Sequence, residues 1–253
     1  MSSMRIVILA TLLSLAQQAA AQTVPQIAII IDDLGYQFAA GQRAISLPGP
    51  VSYAILPATP NGRSLAMAAH KQGKEVLLHL PLESVGHSGP REPGGITLDM
   101  SRAAFEHAFD VALESVPYAI GVSSHRGSLL TRHPGHMQWL MQEISERDGL
   151  FFIDSFTTHQ SVAMQAAVEA GVAATRRHVF LDNDRSVEAM SREFERLTQL
   201  ANRNGVAIAI GHPYPETLTF LESKLAELDA EAFELIPVSQ ALKFVEPRPA
   251  DKL

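Results

Sequence analysis

The chain has 253 residues, of which 46% are hydrophobic and 19% charged, and its formal net charge is −7. This composition is typical of a globular protein, and the length suits one α/β domain or two small ones. The acidic balance argues against nucleic acid as the main partner, because a phosphate backbone repels excess negative charge. The sequence contains no cysteine, so any metal must be bound by His, Asp or Glu.

The first residues resemble a secretory signal. Arg5 provides a short positive region, residues 6–16 an apolar core, and residues 19–21 a small-residue cleavage site before Gln22. The apolar core is shorter than the roughly 20 residues that span a bilayer. We therefore predict that residues 1–21 are removed, and that the mature protein is periplasmic or secreted without stable membrane insertion. The alternative is a retained membrane anchor.

Strands and helices alternate along the rest of the chain. Continuous apolar runs indicate strands buried on both faces, and segments with a helical period separate them. The predicted strands are 27–31, 51–56, 75–80, 118–122, 150–153, 178–181, 206–210 and 234–238. The predicted helices are 36–47, 61–73, one capped by Ser101, 137–147, 161–170, one between Ser186 and Gly205, and one starting at Pro215.

This alternation favours a parallel sheet with right-handed crossovers. We predict an α/β fold, a single-domain distorted (β/α) barrel with about seven or eight mostly parallel strands, over residues 22–246. An open doubly wound sheet is the alternative. Residues 247–253, which are rich in proline and charge, are predicted to form a disordered tail.

Ionisable residues stand at or just past the carboxyl ends of five predicted strands. They are Asp32 and Asp33, His79, His125, Asp154 and His212. The carboxyl ends of parallel strands share one rim, and active sites of such folds lie there. Imidazoles together with a carboxylate suit zinc or a similar divalent cation, which acidifies bound water and polarises a carbonyl.

Several of these residues also have an ordinary explanation. Asp32 and Asp33 could end a strand in a solvated turn, His79 could be a hydrogen-bonded core residue, and Asp154 could cap the next turn. Glu83, four residues after His79, is a candidate fourth ligand or base. Nucleophilic serine chemistry is disfavoured, because the sequence has no Gly-x-Ser-x-Gly motif. A glycosidase using Asp33 and Asp154 stays open at this point.

Several motifs, in their order along the chain, resemble those of the divergent polysaccharide deacetylase family over roughly residues 25–245. The motifs are Ile31-Asp-Asp-Leu-Gly35, His79-Leu-Pro81 with Glu83, Ser124-His-Arg-Gly-Ser128, Phe152-Ile-Asp-Ser155, Phe180-Leu-Asp-Asn-Asp184, Ile210-Gly-His-Pro213 and Pro237-Val-Ser239. That family is distantly related to the metal-dependent carbohydrate esterases, which remove N- or O-acetyl groups from sugar polymers.

The resemblance implies catalytic roles for three residues. Asp32 would be the base and His212 the acid, and Asp154 would orient or tune a catalytic group. A divalent metal, with Zn²⁺ the expected ion, would be the cofactor. The implied substrate is an acetylated amino sugar in a polysaccharide or peptidoglycan-type glycan of the cell envelope.

The implied metal ligands are Asp33, His79 and His125, and they depart from the better-known esterases in one respect. In those enzymes the two metal histidines lie four residues apart on one segment. Here His79 and Glu83 have that spacing, and the second histidine comes from the next strand. The altered spacing supports an alternative, a catalytically weak or inactive glycan-binding or envelope-assembly protein that retains the barrel.

Overall fold

A computed structural model describes residues 24–86, 92–228, 230 and 232–244 of the chain. The predicted signal segment, residues 1–21, and the predicted tail, residues 247–253, lie outside this part. None of the helices in the described ranges has the length and apolar character needed to cross a membrane.

Nine strands form one parallel sheet in the described part of the chain. The strands are β1 Gln26–Leu34, β2 Ser52–Ile55, β3 Val76–Leu82, β4 Ala119–Arg126, β5 Phe151–Asp154, β6 Ala174–Arg176, β7 Val179–Phe180, β8 Val206–Gly211 and β9 Glu234–Leu235. Eight strands follow the order β6-β5-β4-β3-β2-β1-β8-β7, and β9 pairs with the start of β1. The sheet curls into a half-barrel, which confirms the predicted parallel α/β barrel architecture.

Helices follow most of the strands. They are α1 Phe38–Ile45, α2 Gly62–Lys71, α3 Arg102–Ser115, α4 Pro134–Ser145, α5 Ala163–Glu169, α6 Val187–Asn204, α7 Pro215–Ala226 and α8 Val238–Ala241. The predicted caps are confirmed: the Ser101 and Ser186 hydroxyls accept hydrogen bonds from backbone N–H groups of α3 and α6. Gly205 ends α6 at a φ of 81°, a left-handed conformation that glycine adopts without strain.

The two faces of the sheet belong to two separate apolar clusters. In β1 the side chains alternate between these clusters, as the period of a strand requires. Ile27, Ile29 and Ile31 pack with residues of the surrounding helices, whereas Ala28 and Ile30 face the interior of the half-barrel. Because the residues of both clusters are buried, the run of isoleucines keeps the middle of β1 from solvent, and Asp33 becomes partly exposed only beyond its last isoleucine.

Helix α8 covers the interior at the amino ends of the strands. Val238 and Ala241 of α8 belong to the interior cluster. The Glu75 carboxylate, at the entry to β3, accepts hydrogen bonds from the hydroxyls of Ser52 and Ser239. This end of the half-barrel is therefore filled by apolar contacts and satisfied polar groups, and the carboxyl ends of the strands are left to form a site.

The sequence predictions differ from the structure at a few strands. Strand β1 continues through Asp32 and Asp33, and β4 continues to Arg126, so the candidate ligands belong to the sheet. The predicted strand over 234–238 was wrong beyond Leu235. Pro237 has no N–H group to pair with a neighbouring strand, and it stands at the N-cap of α8 instead.

We predict that Gly121→Ala destabilises the fold. Gly121 lies in β4 beside Phe151 of β5, and a Cβ atom there would come within 2.6 Å of the Phe151 ring. Since this ring is buried, the added methyl group should lower the free energy of unfolding by about 1–3 kcal/mol. Denaturant unfolding would measure the change.

The matched control is Gly135→Ala in α4, where the nearest atom to the new Cβ is 3.4 Å away, on the His133 ring. This substitution should leave stability unchanged or raise it by up to about 1 kcal/mol. Equal stabilities for the two variants would contradict the packing argument.

Candidate metal centre

Three side chains, from strands β1, β3 and β4, meet at the carboxyl end of the sheet, where β2 lies between β1 and β3. Asp33 lies near the end of β1, and its Oδ1 atom is 3.1 Å from Nε2 of His79 in β3. The same oxygen is 2.9 Å from Nδ1 of His125 in β4, and the two imidazole nitrogens are 3.1 Å apart. The structure thus brings together the three residues that the sequence nominated as metal ligands.

The three atoms fit a divalent cation. Ligand atoms that lie roughly 2.1 Å from one ion are about 3.0 Å apart at octahedral angles and about 3.4 Å apart at tetrahedral angles, and the three distances here are close to the first value. Oδ1 of Asp33 is buried and has no hydrogen bond of acceptable geometry within the described residues, although both imidazoles are near it. A carboxylate oxygen and two imidazole nitrogens facing one point form a donor set suited to zinc or a related ion.

The charge states of Asp33 and His79 are coupled. Burial raises the pKa of Asp33, but the adjacent His125 and His79 more than offset this effect, so the net pKa is well below the usual range. Burial lowers the pKa of His79, while the carboxylates of Asp32 and Asp33 outweigh it and raise the pKa. Asp33 is therefore held ionised, as a ligand must be.

Asp32 precedes Asp33 and has a different environment. It is only 2% exposed, and its Oδ2 atom lies 3.5 Å from Nε2 of His79. Oδ1 of Asp32 is buried without a hydrogen-bond partner in the described part of the protein. Burial is the main reason that the pKa of Asp32 is raised above its ordinary value. A buried carboxylate with a raised pKa and one unpaired oxygen is suited to accept a proton.

Unusual backbone conformations accompany this rim. Asp33 has a φ of 60°, Arg126 at the end of β4 has 57°, and Phe156 after β5 has 50°. A non-glycine residue in this region costs of order 1–3 kcal/mol, and such residues concentrate at functional sites. The turn after Asp33 also requires Gly35, which has a φ of 140° and leaves no room for a Cβ atom beside Thr59.

His212 follows β8 and approaches the three ligands from the other side of β1. Its Nε2 atom lies 3.8 Å from Oδ2 of Asp33, and its Nδ1 atom is 2.9 Å from Oδ1 of Asp182. Oδ2 of Asp182 accepts hydrogen bonds from the His212 backbone N–H and the Thr217 hydroxyl. Burial lowers the pKa of His212, but the carboxylates of Asp182, Asp32 and Asp33 together outweigh it and raise the pKa.

Asp182 and Glu92 are site residues to which the sequence analysis gave no role. Oε2 of Glu92 is 3.1 Å from Nε2 of His125, so this carboxylate orients the ring with Nδ1 toward Asp33. Asp182 lies in the motif Phe180-Leu-Asp-Asn-Asp184, just after a predicted strand, but the sequence alone assigned it no role. Glu83, the candidate fourth ligand, turns away, and its Oε2 accepts a hydrogen bond from the backbone of Leu98.

Asp154 is bound within its own loop. Its carboxylate accepts hydrogen bonds from the Phe156 N–H, at 2.8 Å, and from the Ser161 hydroxyl, at 2.7 Å. These contacts are those expected if Asp154 caps the turn after β5. Its predicted role of orienting or tuning a catalytic group remains a prediction. Burial lowers the pKa of the neighbouring Arg177, and the charges of Asp32 and Asp154 both oppose that effect. Arg177 therefore lies within electrostatic range of both Asp32 and Asp154.

Two curated relatives match most of the chain. The uncharacterized protein YibQ of Escherichia coli K12 is 38% identical over 203 residues, which cover 80% of this chain and 63% of that protein. An uncharacterized protein of Haemophilus influenzae is 36% identical over 227 residues, which cover 88% of this chain and 80% of the relative. The chain thus spans less than two thirds of the length of the E. coli relative.

Solved structures share the fold. An uncharacterized protein of Agrobacterium tumefaciens has a TM-score of 0.83 at 22% identity, and the match covers 88% of this chain and 91% of that one. The Bc1960 peptidoglycan N-acetylglucosamine deacetylase has a TM-score of 0.51 at 10% identity, covering 86% and 87%. A CE4 family pseudoenzyme of Bacillus anthracis also has a TM-score of 0.51 at 10% identity, covering 87% and 66%.

The family assignment rests on sequence. The model of the divergent polysaccharide deacetylase family matches residues 29–242, a range that contains all six nominated site residues. Because this match spans most of the chain, the protein belongs to the divergent polysaccharide deacetylase family.

Proposed function

We propose that the protein is a metal-dependent deacetylase that hydrolyses acetyl groups on amino sugars of an envelope glycan. The observation that carries this proposal is the triangle of Asp33, His79 and His125 atoms, 2.9 to 3.1 Å apart, beside a buried second aspartate. These three residues would hold the cation, and Zn²⁺ is the ion that their chemistry favours. When bound, it would polarise the acetyl carbonyl and acidify a water molecule.

Asp32 is placed to act as general base. It is buried next to His79, its pKa is raised by burial, and one of its oxygens has no partner among the described residues. A water molecule attacking the acetyl carbon must lose a proton, and this oxygen can accept it. The raised pKa brings Asp32 closer to the working pH, where general bases are most effective.

His212 is placed to act as general acid. The Asp182 carboxylate accepts a hydrogen bond from Nδ1 of His212 and raises the pKa of this ring, so that the protonated imidazole is favoured. Nε2 then faces the centre, 3.8 Å from Asp33 Oδ2, and can protonate the departing sugar nitrogen. The Asp33 carboxylate contacts two imidazoles, and the Asp154 carboxylate accepts hydrogen bonds from its own loop. Neither is therefore placed to act on a glycosidic bond, and a glycosidase using this pair is disfavoured.

Cell location and substrate follow the same reasoning. The predicted signal at residues 1–21 supports a periplasmic or secreted protein, and an envelope glycan would be accessible there. The structural neighbour Bc1960 is named a peptidoglycan N-acetylglucosamine deacetylase, which supports a peptidoglycan-type glycan as substrate here.

A second candidate function is glycan binding without turnover. Two observations favour it: the second metal histidine comes from a different strand than in the better-known esterases, and one neighbour of this fold is a pseudoenzyme. Such a protein would bind acetylated glycans, and binding would not depend on Asp32.

We predict that the protein binds one divalent cation and that Asp33→Ala, His79→Ala and His125→Ala each remove it. Loss of a direct ligand should weaken Zn²⁺ binding by more than the roughly 10–100-fold typical of outer-sphere changes. Metal analysis and calorimetric titration with Zn²⁺ and Co²⁺ would measure this. His107→Ala, at an exposed position of α3, is the control. Wild-type metal content in the three ligand variants would refute the site.

We predict that Asp32→Asn strongly slows hydrolysis and leaves metal content unchanged. Loss of a general base should lower the rate of acetate release from chito-oligosaccharides or peptidoglycan by about 10²–10⁴-fold, since the amide cannot accept a proton. If the wild-type protein, with Zn²⁺ or Co²⁺ added, releases no more acetate than His125→Ala, the deacetylase proposal fails. Glycan binding that survives Asp32→Asn in such a protein would favour the second candidate.

We predict that Asp182→Asn impairs the acid step alone. Without the Asp182 charge, the pKa of His212 should fall and kcat should drop by about 10–100-fold, while metal content and KM change little. NMR titration of His212 and steady-state kinetics would measure both effects. Asp184→Asn is the control, because that exposed carboxylate only caps the turn before α6. An unchanged His212 pKa in Asp182→Asn would show that Asp182 does not tune the ring.

A further inference from the structure

We propose that a cavity beside the metal centre recognises a negatively charged group, a carboxylate or a phosphate, carried by the glycan. The cavity has a volume of about 660 Å³ and opens between the loop after β5, strand β6 and helix α6. We call it the basic cavity, since Arg176, Arg177 and Arg196 line it. Its volume is in the range of cavities that bind small ligands. That the ligand is a glycan rests on the proposed function.

The positive charge of the basic cavity contrasts with the rest of the chain, whose formal net charge is −7. Among the described residues that line the basic cavity, the acidic and basic side chains, histidines aside, are the three arginines and one glutamate, Glu193. Glu193 pairs with Arg196 at 3.2 Å on the exposed face of α6, where an ion pair contributes little. The lining therefore has an excess of positive charge that an anionic ligand would complement.

Two of the guanidinium groups are fixed in orientation by stacking. The guanidinium carbon of Arg176 lies 4.6 Å from the centre of the Phe156 ring, and that of Arg177 lies 4.7 Å from the Phe180 ring. Arg177 also donates a hydrogen bond to the backbone carbonyl of Ser155. A stacked guanidinium keeps N–H groups at its edge, and that edge matches the paired oxygens of a carboxylate or phosphate.

The basic cavity adjoins the general acid of the proposed reaction. Phe180, which lines the cavity, has its ring centre 5.2 Å from that of His212. In the proposed reaction His212 protonates the sugar nitrogen, so the sugar that carries this nitrogen must lie on the His212 side. A charged substituent on that sugar or its neighbour would reach the basic cavity.

The opposite side of the centre has the reverse charge pattern. A smaller cavity of about 200 Å³ lies there. Its charged lining residues, within the described part of the chain, are three acidic ones, Glu83, Glu92 and Asp99, and one basic one, Arg126, which pairs with Glu92. Glu92 contacts His125 directly, at 3.1 Å. An anionic substituent would be repelled from this side and attracted to the basic cavity. The two cavities together would therefore fix the direction in which an anionic glycan crosses the centre.

Binding without turnover tests this inference. The full chain carrying Asp32→Asn would be titrated by calorimetry with N-acetylglucosaminyl-N-acetylmuramic acid and with its carboxamide, which differs only in lacking the negative charge. N-acetylglucosamine 6-phosphate and N-acetylglucosamine form the phosphate pair. We expect at least one anionic sugar to bind about tenfold or more tightly than its neutral match, as one charge-assisted hydrogen bond allows. The pair that shows the preference identifies the group.

Arginine variants then assign the preference to the basic cavity. Arg176→Gln combined with Arg196→Gln should abolish it and leave affinity for the neutral sugars unchanged. Both side chains are exposed, and thermal unfolding would verify the fold of the double variant and of each single variant. Arg203→Gln, at an exposed position near the end of the same helix, is the matched control and should keep the preference.

Two results would overturn the inference: equal affinity for both members of each pair in the Asp32→Asn protein, or a preference that survives in the arginine variants. Neither depends on hydrolysis. If the wild-type protein deacetylates neutral and charged glycans equally, with equal affinities, the deacetylase proposal stands and this inference fails. If no glycan is hydrolysed but the arginine variants lose the preference for the charged sugar, this inference stands and the deacetylase proposal fails.

Discussion

The close approach of Asp33, His79 and His125 is the constraint on which the rest of the site depends. A carboxylate and two imidazoles within about 3 Å of one another, largely removed from water, cost free energy unless a cation or protons satisfy them. Three parallel strands of one sheet, β1, β3 and β4, supply these residues, so the sheet itself holds the ligand atoms in place. The left-handed backbone at Asp33 shows that the chain accepts further cost to direct this carboxylate.

Two carboxylates from loops, those of Glu92 and Asp182, also constrain the centre, because they contact its histidine rings. Glu92 orients His125, and Asp182 orients His212, each through a carboxylate oxygen about 3 Å from the ring nitrogen that faces away from Asp33. An imidazole bound at one nitrogen presents its other nitrogen in a fixed direction and tautomer. The strands therefore determine where the rings lie, and the loop carboxylates determine which atoms they present to the centre.

The barrel and the convergence of the strand-end residues could be predicted from the sequence, since continuous apolar runs and strand order determine where the strands end. Asp182, Glu92 and the basic cavity could not. Strand β6 has three residues, Ala174–Arg176, too few to show a period, so nothing in the sequence placed its arginine beside the site. Glu92 lies in a loop rich in glycine and proline, where no periodicity predicts which side chain reaches His125.

The two adjacent aspartates bear on whether the site is catalytic. Their pKa values move in opposite directions, because Asp33 lies between two imidazoles whereas Asp32 is buried with one oxygen unpaired. Divergent pKa values of neighbouring carboxylates are typical of sites that divide proton transfer from charge stabilisation. An unpaired buried oxygen costs about 1–3 kcal/mol, and glycan binding alone gives no reason to retain it. A reaction in which a carboxylate at this position must accept a proton gives such a reason. The unpaired oxygen therefore favours hydrolysis over binding without turnover.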